Sequence, residues 1–172
     1  MRASSPTESS RMSDGHVISV VVPSLNHGDF LDQCLQSILT QEGSFIIDCL
    51  VMDGGSIDGS VDVMRHHEDL LKRHCEAREW RGGRIYVPRD PASAFCNCRG
   101  INYKWRSEKD NGQVEALKNG FALAQGDILC WLNSDDYYLH RSVFQIVATE
   151  FEKDPNISML FGDGILVSRQ GD

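Results

Sequence analysis

The apolar positions change period several times along the chain, and each change marks an element. Val17–Val22 is a continuous β-branched run, broken only by Ser19 and closed by Pro23, which predicts a strand buried on both faces. From Asp29 the spacing turns helical. Leu31, Cys34, Leu35, Ile38 and Leu39 fall on one face, with Asp29 as the predicted N-cap and Gly43 as the stop. Ile46–Met52 is a second apolar run containing one acidic residue, Asp48, and a helix over Ser60–Arg73 follows it. Further on, the pattern predicts short strands at Arg84–Val87 and Tyr103–Arg106, a helix over Gln113–Ala124 and a buried strand at Asp127–Leu132. It then predicts an amphipathic helix over Arg141–Lys153 through Val143, Phe144, Val147 and Phe151. Two closing strands, Ile157–Gly162 and Ile165–Ser168, are expected to form a hairpin around Asp163-Gly164.

Strands alternating with helices across short connections predict an α/β fold with a mostly parallel, Rossmann-like sheet flanked by helices. Two stretches stand apart. Residues 1–16 are rich in Ser, Thr, Arg and Glu without periodicity and read as a disordered tail. Residues 74–100, with Gly82-Gly83, Pro88 and Pro91, read as a loop-rich insertion inside one domain spanning 17–172.

Composition narrows the choice. The 172 residues are 41% hydrophobic and 24% charged, as in an ordinary globular domain, and the net charge of -8 argues against a nucleic-acid partner. No apolar run reaches the roughly 20 residues of a membrane span, and peripheral association is the membrane mode expected to be open to the chain. Six cysteines, Cys34, Cys49, Cys75, Cys96, Cys98 and Cys130, are present without an apolar leader, so free thiols in a reducing, cytoplasmic setting are expected. Cys96-x-Cys98 with Cys75, His66, His67 and His74 has too tight a cysteine spacing for a zinc site.

Candidate chemistry gathers at the carboxyl ends of the predicted strands, where open α/β sheets bind ligands. Pro23, Ser24 and Asn26 follow the first strand; Asp53, Ser56 and Asp58 follow the second; Asn133, Ser134, Asp135 and Asp136 follow Asp127–Leu132; Glu108 and Asp110 precede the helix at Gln113. Taken alone, Asn133-Ser134-Asp135-Asp136 reads either as a solvated acidic turn or as a site where a hard divalent cation relieves carboxylate repulsion. Dinucleotide and P-loop glycine fingerprints are absent, as is a nucleophile elbow. Pro23-Ser24-Leu25-Asn26-His27-Gly28 lacks the glycine-rich run with Lys or Arg that a sugar nucleotidyltransferase needs.

Four stretches together resemble inverting family 2 glycosyltransferases of the GT-A fold, over about residues 17–168. They are Val20-Val21-Val22-Pro23-Ser24-Leu25-Asn26, Val51-Met52-Asp53-Gly54-Gly55-Ser56-Ile57-Asp58-Gly59-Ser60, Ser107-Glu108-Lys109-Asp110-Asn111-Gly112-Gln113 and Trp131-Leu132-Asn133-Ser134-Asp135-Asp136. The resemblance implies a donor site for a UDP, GDP or dTDP sugar, with Pro23, Ser24, Asn26, Asp53, Ser56, Asp110, Asn133 and Ser134 around it. Asn133 stands at the first position of the family's D-x-D, so Asp135 is the implied ligand of Mg²⁺ or Mn²⁺. The implied acceptor is a glycan or a lipid-linked hydroxyl, in glycan biosynthesis at or near the inner face of a membrane. The general base of such enzymes lies well beyond D-x-D, and only 36 residues follow Asp136. Asp154 and Asp163 have no convincing base context. The expectation is therefore a chain truncated before the acceptor-binding part, holding the donor site; the alternative is a non-catalytic nucleotide-sugar-binding or interaction module.

Overall fold

The computed structural model describes residues 15–90 and 95–168; the expected disordered tail lies outside these except for Gly15 and His16. Ten elements follow in order: β1 (Val17–Ser24), α1 (Gly28–Leu39), β2 (Ile46–Asp53), α2 (Ser60–His74), β3 (Cys75–Trp80), β4 (Gly83–Pro88), β5 (Gly100–Ser107), α3 (Gln113–Leu123), β6 (Ile128–Trp131) and α4 (Val143–Lys153). They form one sheet in the order β3-β4-β5-β2-β1-β6. β1, β2, β5 and β6 are mutually parallel, and β4 runs antiparallel to both β3 and β5. The α/β architecture is the one the alternating pattern predicts.

β1 is buried along its whole length because helices cover both faces of the sheet. Alternate residues divide the core in two. Ile18, Val20 and Val22 of β1 pack with Ile47, Cys49 and Val51 of β2 against α1, α2 and α4. Val21, Leu50 and Met52 face the other way, toward Ala116 of α3. On α3, a Cβ at Gly120 would fall 2.3 Å from Val21 Cγ1, so the absence of a side chain there lets the helix sit directly on the sheet.

α1 buries the five apolar residues that its spacing marks. Each buried aliphatic side chain contributes about 1.5–3 kcal/mol, against about 1 kcal/mol for a cap, so packing decides where this helix forms. Its N-cap is His27 rather than Asp29, and the orphan Gly28 N–H donates to Asp58 Oδ2 at 2.9 Å. Asp58 also accepts from the Ser60 N–H and Oγ, so one carboxylate caps both α1 and α2. These hydrogen bonds, Ser60 Oγ first, hold its pKa below the ordinary aspartate value.

Three expectations change. Residues 74–100 hold the β3–β4 hairpin, joined by a turn at Arg81-Gly82 with both residues at positive φ. The strand at Asp127–Leu132 is shorter, Ile128–Trp131, and is not buried on both faces: Leu129 and Trp131 are about half exposed, because β6 ends the sheet and α3 covers only its neighbours. Finally, neither Ile157–Gly162 nor Ile165–Ser168 is a strand. Apolar runs form a strand only against a partner edge, and among the described residues this segment pairs with none, leaving Met159, Phe161, Ile165 and Leu166 exposed.

Histidine chemistry is buried in α2. His67 Nε2 lies 2.9 Å from Asp32 Oδ1 of α1, while its Nδ1 has no hydrogen-bond partner. Burial outweighs the attraction of Asp32 and holds the imidazole pKa below its usual value of about 6.5. The folded protein therefore keeps His67 neutral where the unfolded chain protonates it. The stability this provides is complete above about pH 6.5 and declines as pH falls toward the depressed folded value. Melting curves should show wild type losing stability more steeply from pH 7 to pH 5 than His67→Gln.

Candidate donor-binding site

The carboxyl ends of β1, β2, β5 and β6 share one edge of the sheet, and the turns leaving them interlock. Gly54 N–H donates to Ser24 O at 2.9 Å and Glu108 N–H donates to Asp53 O at 2.9 Å, tying the three central strand ends together. Asn26 sits at φ 53, a left-handed conformation that asparagine tolerates. From there its N–H donates to Ser56 Oγ at 2.7 Å and its Oδ1 accepts from Ile57 N–H at 3.0 Å.

Behind this rim, Asp53 is almost fully buried. Its carboxylate accepts from Gly55 N–H at 3.1 Å, Ser56 N–H at 2.8 Å and Ser107 Oγ at 2.6 Å, and from Ser56 Oγ through a very short contact. Gly54 and Gly55 allow the loop after β5 to lie against this turn. A Cβ on Gly54 would fall 3.0 Å from Asp110 Oδ1, and Gly55 adopts φ +88.

In front of the turns lies a cleft of about 370 Å³, lined by Pro23, Ser24, Leu25, His27, Asp110, Gly112, Gln113, Ala116, Asn133, Ser134 and Asp135. Six of the nine sequence candidates therefore converge on one cavity: Pro23, Ser24, Asp110, Asn133, Ser134 and Asp135. Asn26, Asp53 and Ser56 do not line it; they brace the turns that do. His27 and Gln113 were missed by sequence reasoning, although Gln113 ends one of the quoted stretches and His27 directly follows another. His27 Nδ1 lies 2.7 Å from Ser134 Oγ, and Gln113 Nε2 donates to Asn133 Oδ1 at 2.8 Å. α1 and α3 thus grip the β6 turn from both sides.

Two features of the cleft point to a ligand. Ser24 Oγ is buried and has no hydrogen-bond partner, a cost that a bound polar group would remove. Among the lining residues Asp110 and Asp135 are acidic, and none is Lys or Arg. Asp110 Oδ1 accepts from Gly112 N–H at 2.9 Å. The Asp135 side chain is exposed at the turn. Among the described residues no group of three or more His, Cys, Asp or Glu side chains is arranged to hold a metal by itself.

Comparison with known proteins assigns the chain a lineage. The family model for glycosyl transferase family 2 matches residues 19–85 and 88–166. The chain belongs to that family. An uncharacterized glycosyltransferase of Mycobacterium tuberculosis is 30% identical over 155 residues, which is 90% of this chain and 47% of the relative. A PGL/p-HBAD biosynthesis glycosyltransferase of Mycobacterium bovis is 27% identical over 154 residues, 88% of this chain and 48% of that one. The family 2 domain described here thus spans about half the length of these curated relatives. Among solved structures, the mannosyltransferase PcManGT of Pyrobaculum calidifontis, in complex with GDP-Man and Mn²⁺, superposes with a TM-score of 0.56 at 15% identity, over 84% of this chain and 34% of the other. S. aureus TarS in complex with UDP gives 0.52 at 14% identity, over 79% and 32%. At such identity these two share the fold of this family 2 domain. The shared architecture is the mostly parallel GT-A sheet flanked by helices.

Proposed function

We propose that the cleft binds a nucleoside-diphosphate sugar together with Mg²⁺ or Mn²⁺, as the donor half of an inverting glycosyltransferase. The observation that carries this reading is the cleft's charge. A diphosphate brings negative charge into a pocket that already holds Asp110 and Asp135 and has no lining Lys or Arg. Only a cation arriving with the ligand resolves that conflict. Mg²⁺ and Mn²⁺ suit the residues present, because such ions take one or two carboxylates and complete their shells with phosphate and water. Asp135 would be the protein ligand. When bound, the metal would supply charge stabilisation for the departing nucleoside diphosphate.

The remaining roles fall to the chain's own groups. Ser24 Oγ is free to meet a polar atom of the donor. Asp110, on the loop before α3, faces the same space, while His27 and Gln113 fix the Asn133-Ser134 turn that presents Asp135. Asp53, with its oxygens engaged by Ser56, Gly55 and Ser107, acts by bracing the turn. The relatives solved with UDP and with GDP-Man and Mn²⁺ support a nucleotide-sugar ligand of this class. A cytoplasmic setting fits the six free thiols.

Among the described residues, Asp110 and Asp135 are the carboxylates that line the cleft, and Asp154 accepts locally from Asn156 at the end of α4. That favours a donor-binding role for this cleft. Calorimetric titration with UDP, GDP and dTDP, with and without Mn²⁺, tests the proposal. Saturable, Mn²⁺-dependent binding of at least one is expected; no binding of any would overturn it. A sugar-transfer assay on the same chain complements it: donor binding without turnover is expected, and turnover would place acceptor activation within these residues.

A further inference from the structure

Asn133, Ser134, Asp135 and Asp136 leave β6 as one short turn, yet their side chains meet different groups. Leu132 N–H donates to Val21 O at 3.1 Å, anchoring the start of the turn to β1, and Asp136 N–H donates to Asn133 O at 3.0 Å, closing it. Both carboxylates are exposed. Asp135 lines the cleft, and its side chain is hydrogen-bonded to no other described residue. Asp136 does not line the cleft and is held: its Oδ2 accepts from Asn133 Nδ2 at 3.1 Å. Asn133 Oδ1 in turn accepts at 2.8 Å from Nε2 of Gln113, the first residue of α3.

Chemistry fixes the direction of this row. An ionised carboxylate only accepts, so Asn133 must turn Nδ2 toward Asp136. That places Oδ1 at the other end of the amide, where only a donor satisfies it, so Gln113 must present Nε2. A row of two amides ending on a carboxylate therefore has one orientation. Gln113 and Asp136 share no hydrogen bond among the described residues, yet Gln113 holds the amide that holds Asp136. Without the Gln113 donor, the Asn133 side chain is free to rotate and its hold on Asp136 loosens. The hold matters because neighbouring carboxylates repel each other, and a divalent cation within reach of both draws them together.

We propose that Gln113 is a positioning residue: through Asn133 it keeps Asp136 turned away from the cleft, so that of the two carboxylates on this turn Asp135 alone is offered to a cation. The inference rests on the reading of the cleft as a cation-assisted diphosphate site and adds an order of events to it. One carboxylate from the turn holds a bare divalent cation weakly, and the shell is completed by phosphate oxygens and water. The row thus makes the cation a companion of the nucleotide rather than a resident of the empty cleft. It also gives asparagine a purpose at position 133. In Asn133→Asp the new carboxylate would still accept from Gln113, but it would have no proton to donate to Asp136.

The test titrates Mn²⁺ alone into the full chain, followed by loss of the free-ion electron paramagnetic resonance signal. It compares wild type, Gln113→Met, Asn133→Ala, and each of these two with Asp136→Ala added. Gln113→Met keeps the length of the side chain and removes its donor. Freeing Asp136 should tighten binding of bare Mn²⁺ by about 5–10-fold in both single variants, the effect of one more carboxylate beside a cation in a wet site. Adding Asp136→Ala should return the affinity to within about twofold of wild type. No gain in either single variant, or a gain that survives Asp136→Ala, would overturn the inference. A second measurement needs no metal: in ¹⁵N-labelled protein the Asn133 side-chain amide resonances should shift in Gln113→Met, and unmoved resonances would also overturn it. Titration with nucleoside diphosphates and Mn²⁺ separates the two readings. Nucleotide binding without the Mn²⁺ gain sinks the positioning role alone; the gain and the amide shift without nucleotide binding support that role and sink the proposed function.

Discussion

Asp135→Ala is expected to lower Mn²⁺-dependent affinity for the preferred nucleoside diphosphate by at least about 100-fold, or about 3 kcal/mol. The size follows from the cleft's charge. Removing Asp135 takes away the proposed ligand of the one cation that lets a diphosphate approach Asp110, and no lining Lys or Arg substitutes for it. Stability should hardly change, because the side chain is exposed and substitutions of this kind usually stay within about 0.5 kcal/mol. The comparison that isolates the metal role is Asp136→Ala. Asp136 accepts from Asn133 Nδ2 at 3.1 Å and does not line the cleft, so its loss should weaken binding only modestly through the turn. Titrations of both variants at matched Mn²⁺ make the check. Wild-type affinity in Asp135→Ala would move the metal role to another residue.

Asp48→Ala should have the largest effect on stability, a loss of about 3–5 kcal/mol. Asp48 is a fully buried carboxylate in β2, on the face that α3 covers. Cross-strand register places Ser19 of β1 on one side of it and Asn102 of β5 on the other. Ser19 Oγ donates to it at 2.6 Å, Asn102 Nδ2 at 2.6 Å and Gln125 N–H at 2.9 Å. Ser19 Oγ in turn accepts from Gly126 N–H at 2.9 Å. One carboxylate thus joins three strands to the connection between α3 and β6. Alanine would orphan several buried donors at once. With a shift of roughly 2–4 °C per kcal/mol for a chain of this size, melting should fall by about 6–20 °C. Asp48→Asn keeps one oxygen acceptor and should lie between the two.

The sequence exposed much of this architecture because the local signals and the tertiary demands agree. α1 is legible since its five apolar residues at helical spacing are the ones the sheet buries. β1 is legible since only a strand covered on both faces tolerates Val20-Val21-Val22. Of the β3–β4 hairpin, β4 is legible as the strand expected at Arg84–Val87, and β3 is not: Glu76-Ala77-Arg78-Glu79 is exposed on an edge strand, so no alternation of burial is written into it. The closing strands failed for the opposite reason. Ile157–Gly162 and Ile165–Ser168 carry strand composition, but a strand is a relation between two segments and one was missing. For the site, strand-end position identified six of the cleft's residues. It could not show that Asp53 closes its own turn through the hydroxyls of Ser56 and Ser107, because Ser107 is 54 residues away. His27 and Gln113 were hidden similarly, since their partners Ser134 and Asn133 are distant in sequence.

The open side of β6 governs how the isolated chain behaves as a colloid. An unpaired strand edge with Leu129 and Trp131 standing clear of the surface is a template for other copies, and the apolar residues after α4 add to it. Mutual repulsion from the net charge of -8 is what keeps such surfaces apart in solution. That repulsion weakens as the medium approaches the isoelectric point of about 5.2 implied by the composition, and it is shortened by added salt. Dispersion of this protein is therefore a matter of ionic conditions: dilute buffers on the alkaline side hold it apart, and acid or brine lets the edges meet.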